Sequence, residues 1–344
     1  MIAETLVAAL AGAALIAYAV LGGADFGGGI WDLFARGPRA VAQRRAIADA
    51  MGPVWEANHV WLIFVIVLVF SCFPAAYEVL SIVLFVPLHL VLLGIVLRGA
   101  AFVFRAYARD ATEATGWAVV FRIGSVITPP LLGMTLGAVS AGGIRLGPGH
   151  DISIEGGPPW LSPVALAMGA LALGLSAYLA AVFLANETRG QLREDFRLRA
   201  LVAGTAVVGL SALTLPLLRA QAPHLWEGLV AGRATLVFAA GIVAALASGL
   251  FLVLRWHRPA RIAAVIQIAC LIAGWGLAQY PYIIHPGLTL HEAAAPEATL
   301  RFVLLTAPIG LALLVPSLWL LFAVFKGEHL GREQPATGDE SRGA

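Results

Sequence analysis

Long apolar runs, each divided from the next by a short polar stretch, recur from one end of the 344-residue chain to the other. A bilayer core asks for about 20 apolar residues per crossing helix, and these runs have that length. A membrane barrel strand would instead alternate in polarity over about 10 residues. The runs here are apolar all round, so helices that satisfy their own backbone are the expected solution. Nine spans are predicted, at 5–33, 53–72, 77–97, 117–140, 161–185, 200–220, 232–254, 262–282 and 301–325. The fold class is therefore an all-α integral membrane bundle over residues 1–326. Residues 327–344 are polar and poor in core formers, which predicts a disordered cytoplasmic tail.

Composition agrees: 60% of residues are hydrophobic and 12% charged, where a soluble domain carries about a quarter charged residues. A net charge of +2 is too small to suggest nucleic acid as a partner. Cys72 and Cys270 show neither Cys-x-x-Cys nor Cys/His spacing, so they read as packing residues, and no metal site is expected. The first residues lack the basic stretch of a signal peptide, so the first helix is expected to be retained. The loop from Gly142 to Pro159, rich in Gly and Pro, reads as an irregular connection.

Arginines sort between alternate loops. Arg36, Arg39, Arg44 and Arg45 fall in the first loop, Arg98, Arg105 and Arg109 in the third, Arg189, Arg193, Arg197 and Arg199 in the fifth, and Arg255, Arg258 and Arg261 in the seventh. The other side has only Arg145, Arg219, Arg233 and Arg301. Positive loops stay inside, which places the N-terminus outside and the C-terminus in the cytoplasm. Lys326, Arg332 and Arg342 then lie on the expected side.

An ionisable residue at a helix centre costs about 2.5–3.5 kcal/mol on insertion scales, so each one needs a partner, water or a task. Asp25 lies in Gly22-Gly23-Ala24-Asp25-Phe26-Gly27-Gly28-Gly29, whose glycines let another backbone or a ligand come close. It is expected to face protein, either bonding a neighbouring helix or passing protons. The Gly-rich stretch lacks the strand-loop-helix setting of a dinucleotide site. In the second span Pro53 suits a first helical turn, with Glu56 about one turn further in. Glu56 and His59 are helical neighbours, as are Trp55 and Asn58. A carboxylate beside an imidazole can hand on a proton. Trp55 and Trp61 suit either interfacial anchoring or contact with a ligand.

Arg122 is expected to snorkel, or to pair with a buried acid or a cofactor carboxylate. A lone mid-span His89 reads as bonded to a facing helix rather than to haem iron. The aromatic end of the eighth span, with Gln279, Tyr280 and Pro281, suits interfacial anchoring or a quinone tail. His285, His291 and Glu78 read as solvated.

Four motifs together resemble subunit II of the bd-type and cyanide-insensitive quinol oxidases, along essentially the whole chain. They are Gly22 to Gly29, Trp55-Glu56-x-Asn58-x-Val60-Trp61-Leu62, Pro129-Pro130, and Gln279-Tyr280-Pro281. The resemblance implies a heterodimer in the bacterial inner membrane, with a small third subunit as a further partner. In it a subunit I holds haems b and d, or b alone, and oxidises quinol while oxygen is reduced to water. It implies no haem ligand in this chain. Asp25 and Glu56 match acids assigned to a proton route, with His59 beside them. Trp55, Asn58, Trp61, Arg122 and Gln279 are then candidate quinone or interface contacts. Glu56 stands where many members carry Asp. A secondary transporter or ion channel would also bury acids, but such proteins usually show paired helix interruptions in two halves, and none is evident. A purely structural partner subunit is the third reading.

Overall fold

The structure, a computed structural model, describes residues 2–108, 110–147 and 151–331, with the side chains of 51–56, 106, 111 and 321–331 outside the description. Helix α1 (Ile2–Leu33) is followed by α2 (Ala40–Cys72), α3 (Pro74–Val83), α4 (Phe85–Ala106) and α5 (Ala111–Ser140). A hairpin of β1 (Ile144–Leu146) and β2 (Ile152–Ile154) leads to α6 (Pro163–Glu187), α7 (Gly190–Gln221) and α8 (Pro223–Val230). Then come α9 (Thr235–Val253), α10 (His257–Gln279), a second hairpin of β3 (Tyr282–Ile284) and β4 (Leu288–Thr289), α11 (Leu290–Ala293) and α12 (Glu297–Gly331).

Among the described residues eight helices are long and apolar enough to cross a membrane, or nine if the bent pair α2–α3 counts as one. That pair turns by 115° at Phe73, where Pro74 opens the new helix. Ala76, Val79 and Val83 of α3 are buried in the cluster at this end of the bundle, so α3 packs as a short crosspiece. The third crossing is α4, and it ends well past the predicted residue 97. Helix α12 likewise runs on to Gly331, and residues 332–344 lie outside the described ones.

Helix α1 is the hub, packing against α2, α5, α6, α10 and α12. At its first turns, Val7 joins Leu68, Phe73, Ala138, Ile144 and Leu288 in one cluster under the two hairpins. Within the Gly142–Pro159 connection, residues 144–146 and 152–154 pair as strands, more regular than expected. Ile144 pairs with Ile154 across the hairpin and bridges to Pro286, so the backbone polar groups of two loops satisfy one another. Further along α1, Ala24 packs with Leu179, Ala200, Leu252 and Ala264 from α6, α7, α9 and α10. At the arginine-rich end, Arg39 pairs with Asp195 at 2.7 Å, tying the first loop to α7. At the opposite end His291 meets Glu4 at 2.9 Å.

Candidate functional site

The glycine-rich part of α1 is explained by what it touches. A side chain at Gly27 would collide with the Ser176 carbonyl of α6, and one at Gly29 with the Ser125 side chain of α5. Only hydrogen lets α1 approach both neighbours at once. Asp25 and Asp32 ride on this segment, seven residues apart and so two turns apart on one face.

Asp25 is 1% exposed, as expected of an acid facing protein, and it is clamped. Arg98 of α4 donates from Nη1 to Oδ2 at 2.6 Å, from Nη2 to Oδ1 at 2.7 Å, and from Nη2 to the Asp25 carbonyl at 2.9 Å. Its Nε donates to Ser125 Oγ at 2.8 Å, and Ser125 in turn donates to the Phe121 carbonyl. Asn58 of α2 donates to Asp25 Oδ2 at 2.8 Å. The guanidinium lies 5.0 Å from the Phe26 ring centre and 4.6 Å from that of Phe121. A buried ion pair survives only when each donor and acceptor is met, and this forked geometry meets that demand.

Arg98 corrects the sequence reading, which placed it in a cytoplasmic loop. Apolar residues continue past it from Gly99 to Phe104, and α4 runs on to Ala106, about 12 Å further at 1.5 Å per residue. Arg98 is 2% exposed because Asp25 supplies its counter-charge.

Two turns on, Asp32 gathers three arginines from three helices. Arg122 Nε of α5 donates to Oδ2 at 2.5 Å, Arg105 of α4 stands 3.7 Å from Oδ1, and Arg44 of α2 stands 4.0 Å from Oδ1. Arg122 thus finds a buried acid, one of its expected partners. Asp32 is a buried acid that the sequence reading did not single out. A cavity of about 20 Å³ lies between the two carboxylates, lined also by Arg98, Arg105, Phe102 and Phe121. That space holds about one water, and its walls are polar enough to bind it.

Other predicted site residues fall as follows. The side chains of Trp55 and Glu56 lie outside the described ones, while His59 and Trp61 are half-buried. Gln279 is buried and donates to the Val139 carbonyl at 3.1 Å, so it ties α10 to α5. His89 turns back on its own helix, 2.7 Å from the Phe85 carbonyl, rather than reaching a facing one. His285 is not solvated as expected: it stacks on His224 at 4.6 Å, with Tyr282 edge-on to both rings. Burial, and then the charge of His224, holds its imidazole below the ordinary histidine value.

The larger cavity, about 370 Å³, is apolar and lies between α1, α5, α6, α7, α9 and α10. Tyr18 Oη and Gln267 Oε1 are its buried polar atoms without a hydrogen-bond partner. Met168 and Cys270 are among its lining residues. These features define a polytopic helical membrane protein whose charge is gathered into buried carboxylate–arginine clusters.

The comparisons with known proteins sharpen that class. A family model described as cytochrome bd terminal oxidase subunit II matches residues 3–325. A putative cytochrome bd menaquinol oxidase subunit II of Bacillus subtilis (strain 168) is 25% identical over 322 residues, covering 90% of this chain and 91% of that protein. The cytochrome bd-I ubiquinol oxidase subunit 2 of Escherichia coli (strain K12) is 27% identical over 212 residues, covering 59% of this chain and 54% of its own. The bd oxidase of Geobacillus thermodenitrificans shares the fold, with a TM-score of 0.80 at 23% identity over 94% of this chain and 99% of that one. The chain belongs to the cytochrome bd terminal oxidase subunit II family. The resemblance read from its motifs is borne out, and the protein is a subunit of a terminal oxidase complex.

Proposed function

We propose that this chain is the second subunit of a quinol:oxygen oxidoreductase of the bacterial inner membrane and helps bring protons from the cytoplasm. The haems, b and d or b alone, are held by subunit I, and a small third subunit completes the complex. The arginine-rich end faces the cytoplasm, because positive loops are retained inside. Of the three groups expected on the route, Glu56 and His59 exchange the proton, and Asp25, held by Arg98 and Asn58, supplies the fixed charge that orders it.

One observation carries this reading. Asn58 Oδ1 is buried with no hydrogen-bond partner among the described residues, while its Nδ2 is bound to Asp25. A buried acceptor left open is costly unless water or a protonated group visits it. The water-sized cavity beside Asp25 points the same way. The larger apolar cavity supports a second, subordinate role, since an isoprenoid quinone tail or a lipid chain fits such a lining.

Replacing Glu56 by Gln in the intact complex tests the route. The expected result is full assembly and haem content with oxygen consumption slowed about a hundredfold or more, the scale of a lost proton-transfer group. Unchanged turnover leaves only the structural-partner reading. Substrate uptake by the isolated chain in vesicles would favour a transporter instead.

A further inference from the structure

We infer that Arg44, Arg105 and Arg122 form a binding site for a phosphate group at the arginine-rich end of the bundle. One carboxylate faces three guanidiniums there, and only Arg122 is in close contact with it. Arg105 and Arg44 approach the other carboxylate oxygen at 3.7 and 4.0 Å, too far for a hydrogen bond. The neighbouring Asp25–Arg98 pair is saturated and lends them no charge. Elsewhere at this end the described ion pairs hold one or two arginines per acid: Asp195 meets Arg39, Asp49 meets Arg45, Glu187 meets Arg261, and Glu194 meets Arg197 and Arg255. The Asp32 cluster is the one described site where positive charge exceeds negative by two.

Accessibility and donor chemistry agree with an anion. The Arg105 and Arg44 side chains are 33% and 34% exposed, against 18% for Arg122 and 2% for Asp32. Arg44 donates from Nη2 to the Ala35 carbonyl at 3.0 Å, and its buried Nε, 4.0 Å from Asp32 Oδ1, makes no hydrogen bond. A guanidinium with an unused donor in a fork is suited to a tetrahedral oxyanion. Exposed apolar residues flank the cluster in sequence, Leu33 and Phe34 beside Asp32, and Phe104 and Tyr107 beside Arg105. Acyl chains lie against such a girdle while a headgroup reaches the arginines, so the phosphate comes from an anionic lipid or from solution.

Native mass spectrometry of the purified, delipidated complex tests the site, with phosphatidylglycerol and phosphatidylcholine added in turn. The wild type is expected to retain phosphatidylglycerol in preference to phosphatidylcholine. The variant carrying Arg44→Gln and Arg105→Gln should lose about fivefold in phosphatidylglycerol occupancy per arginine, and Arg44→Lys with Arg105→Lys should keep most of it. Arg105→Gln alone leaves the Arg122–Asp32 contact in place and should show a single step if the double variant fails to assemble. Displacement of the lipid by millimolar inorganic phosphate would assign the site to a free anion, and resistance to it would assign the site to a headgroup. Equal retention of the two lipids by the wild type, or unchanged retention by the glutamine variants, overturns the inference.

Discussion

The two ends of this bundle handle buried polarity by different chemistry. At the arginine-rich end Asp25 and Asp32 meet Arg98, Arg122, Arg105 and Arg44, groups that carry their charge at any physiological pH. At the opposite end two short hairpins satisfy loop backbone groups, and His224 and His285 stack with a buried ring nitrogen each. One end is therefore dominated by arginines, whose charge is fixed, while the other holds His285, whose charge follows the medium. A membrane protein that must keep an internal field constant is served by the first arrangement.

The contrast can be broken most severely at Arg98. Arg98→Leu strands Asp25 as an uncompensated buried charge, at a cost of about 3–5 kcal/mol, so the complex should be recovered in much lower yield. Asp25→Leu combined with Arg98→Met should restore much of that yield, because an apolar pair removes both charges; yield and thermal midpoint of the complex report it. Asn58→Leu removes one charge-assisted hydrogen bond, about 1.5–3 kcal/mol, and should lower the thermal midpoint without abolishing assembly.

The opposite end should give the smallest effect of the set, with a pH dependence of its own. His285 is held below the ordinary histidine value of about 6.5, so below that pH the unfolded segment binds more protons than the folded one. The stability of this cap is complete above about pH 6.5 and declines as pH falls through that value. Hydrogen exchange over residues 282–293, corrected for intrinsic rates, should quicken on acidification in the wild type and lose that dependence in His285→Asn.

The spans were legible because hydropathy runs record them directly, and Asp25 stood out as an acid inside one. Arg98 was not legible. The apolar residues Gly99 to Phe104 beyond it hinted that the span goes on, but a charge inside a span and a charge at its end read alike until the partner's position separates them. Asp32 was hidden for the same reason, at the end of a span where an acid usually meets solvent. The α3 crosspiece reads as part of a span because its composition is apolar, while its direction depends on packing near Phe73. The His224–His285 stack joins residues far apart in sequence, and neither carries a local signal for the other.

Because Asp25 and Asp32 share one rigid helix, their separation along its axis stays near 10.5 Å at 1.5 Å per residue. At an effective dielectric of about 20, a unit charge gained or lost at one carboxylate is felt at the other as about 1.5 kcal/mol. Whatever occupies the arginine cluster at the membrane surface therefore speaks electrically to the interior, with no moving part needed to carry the message.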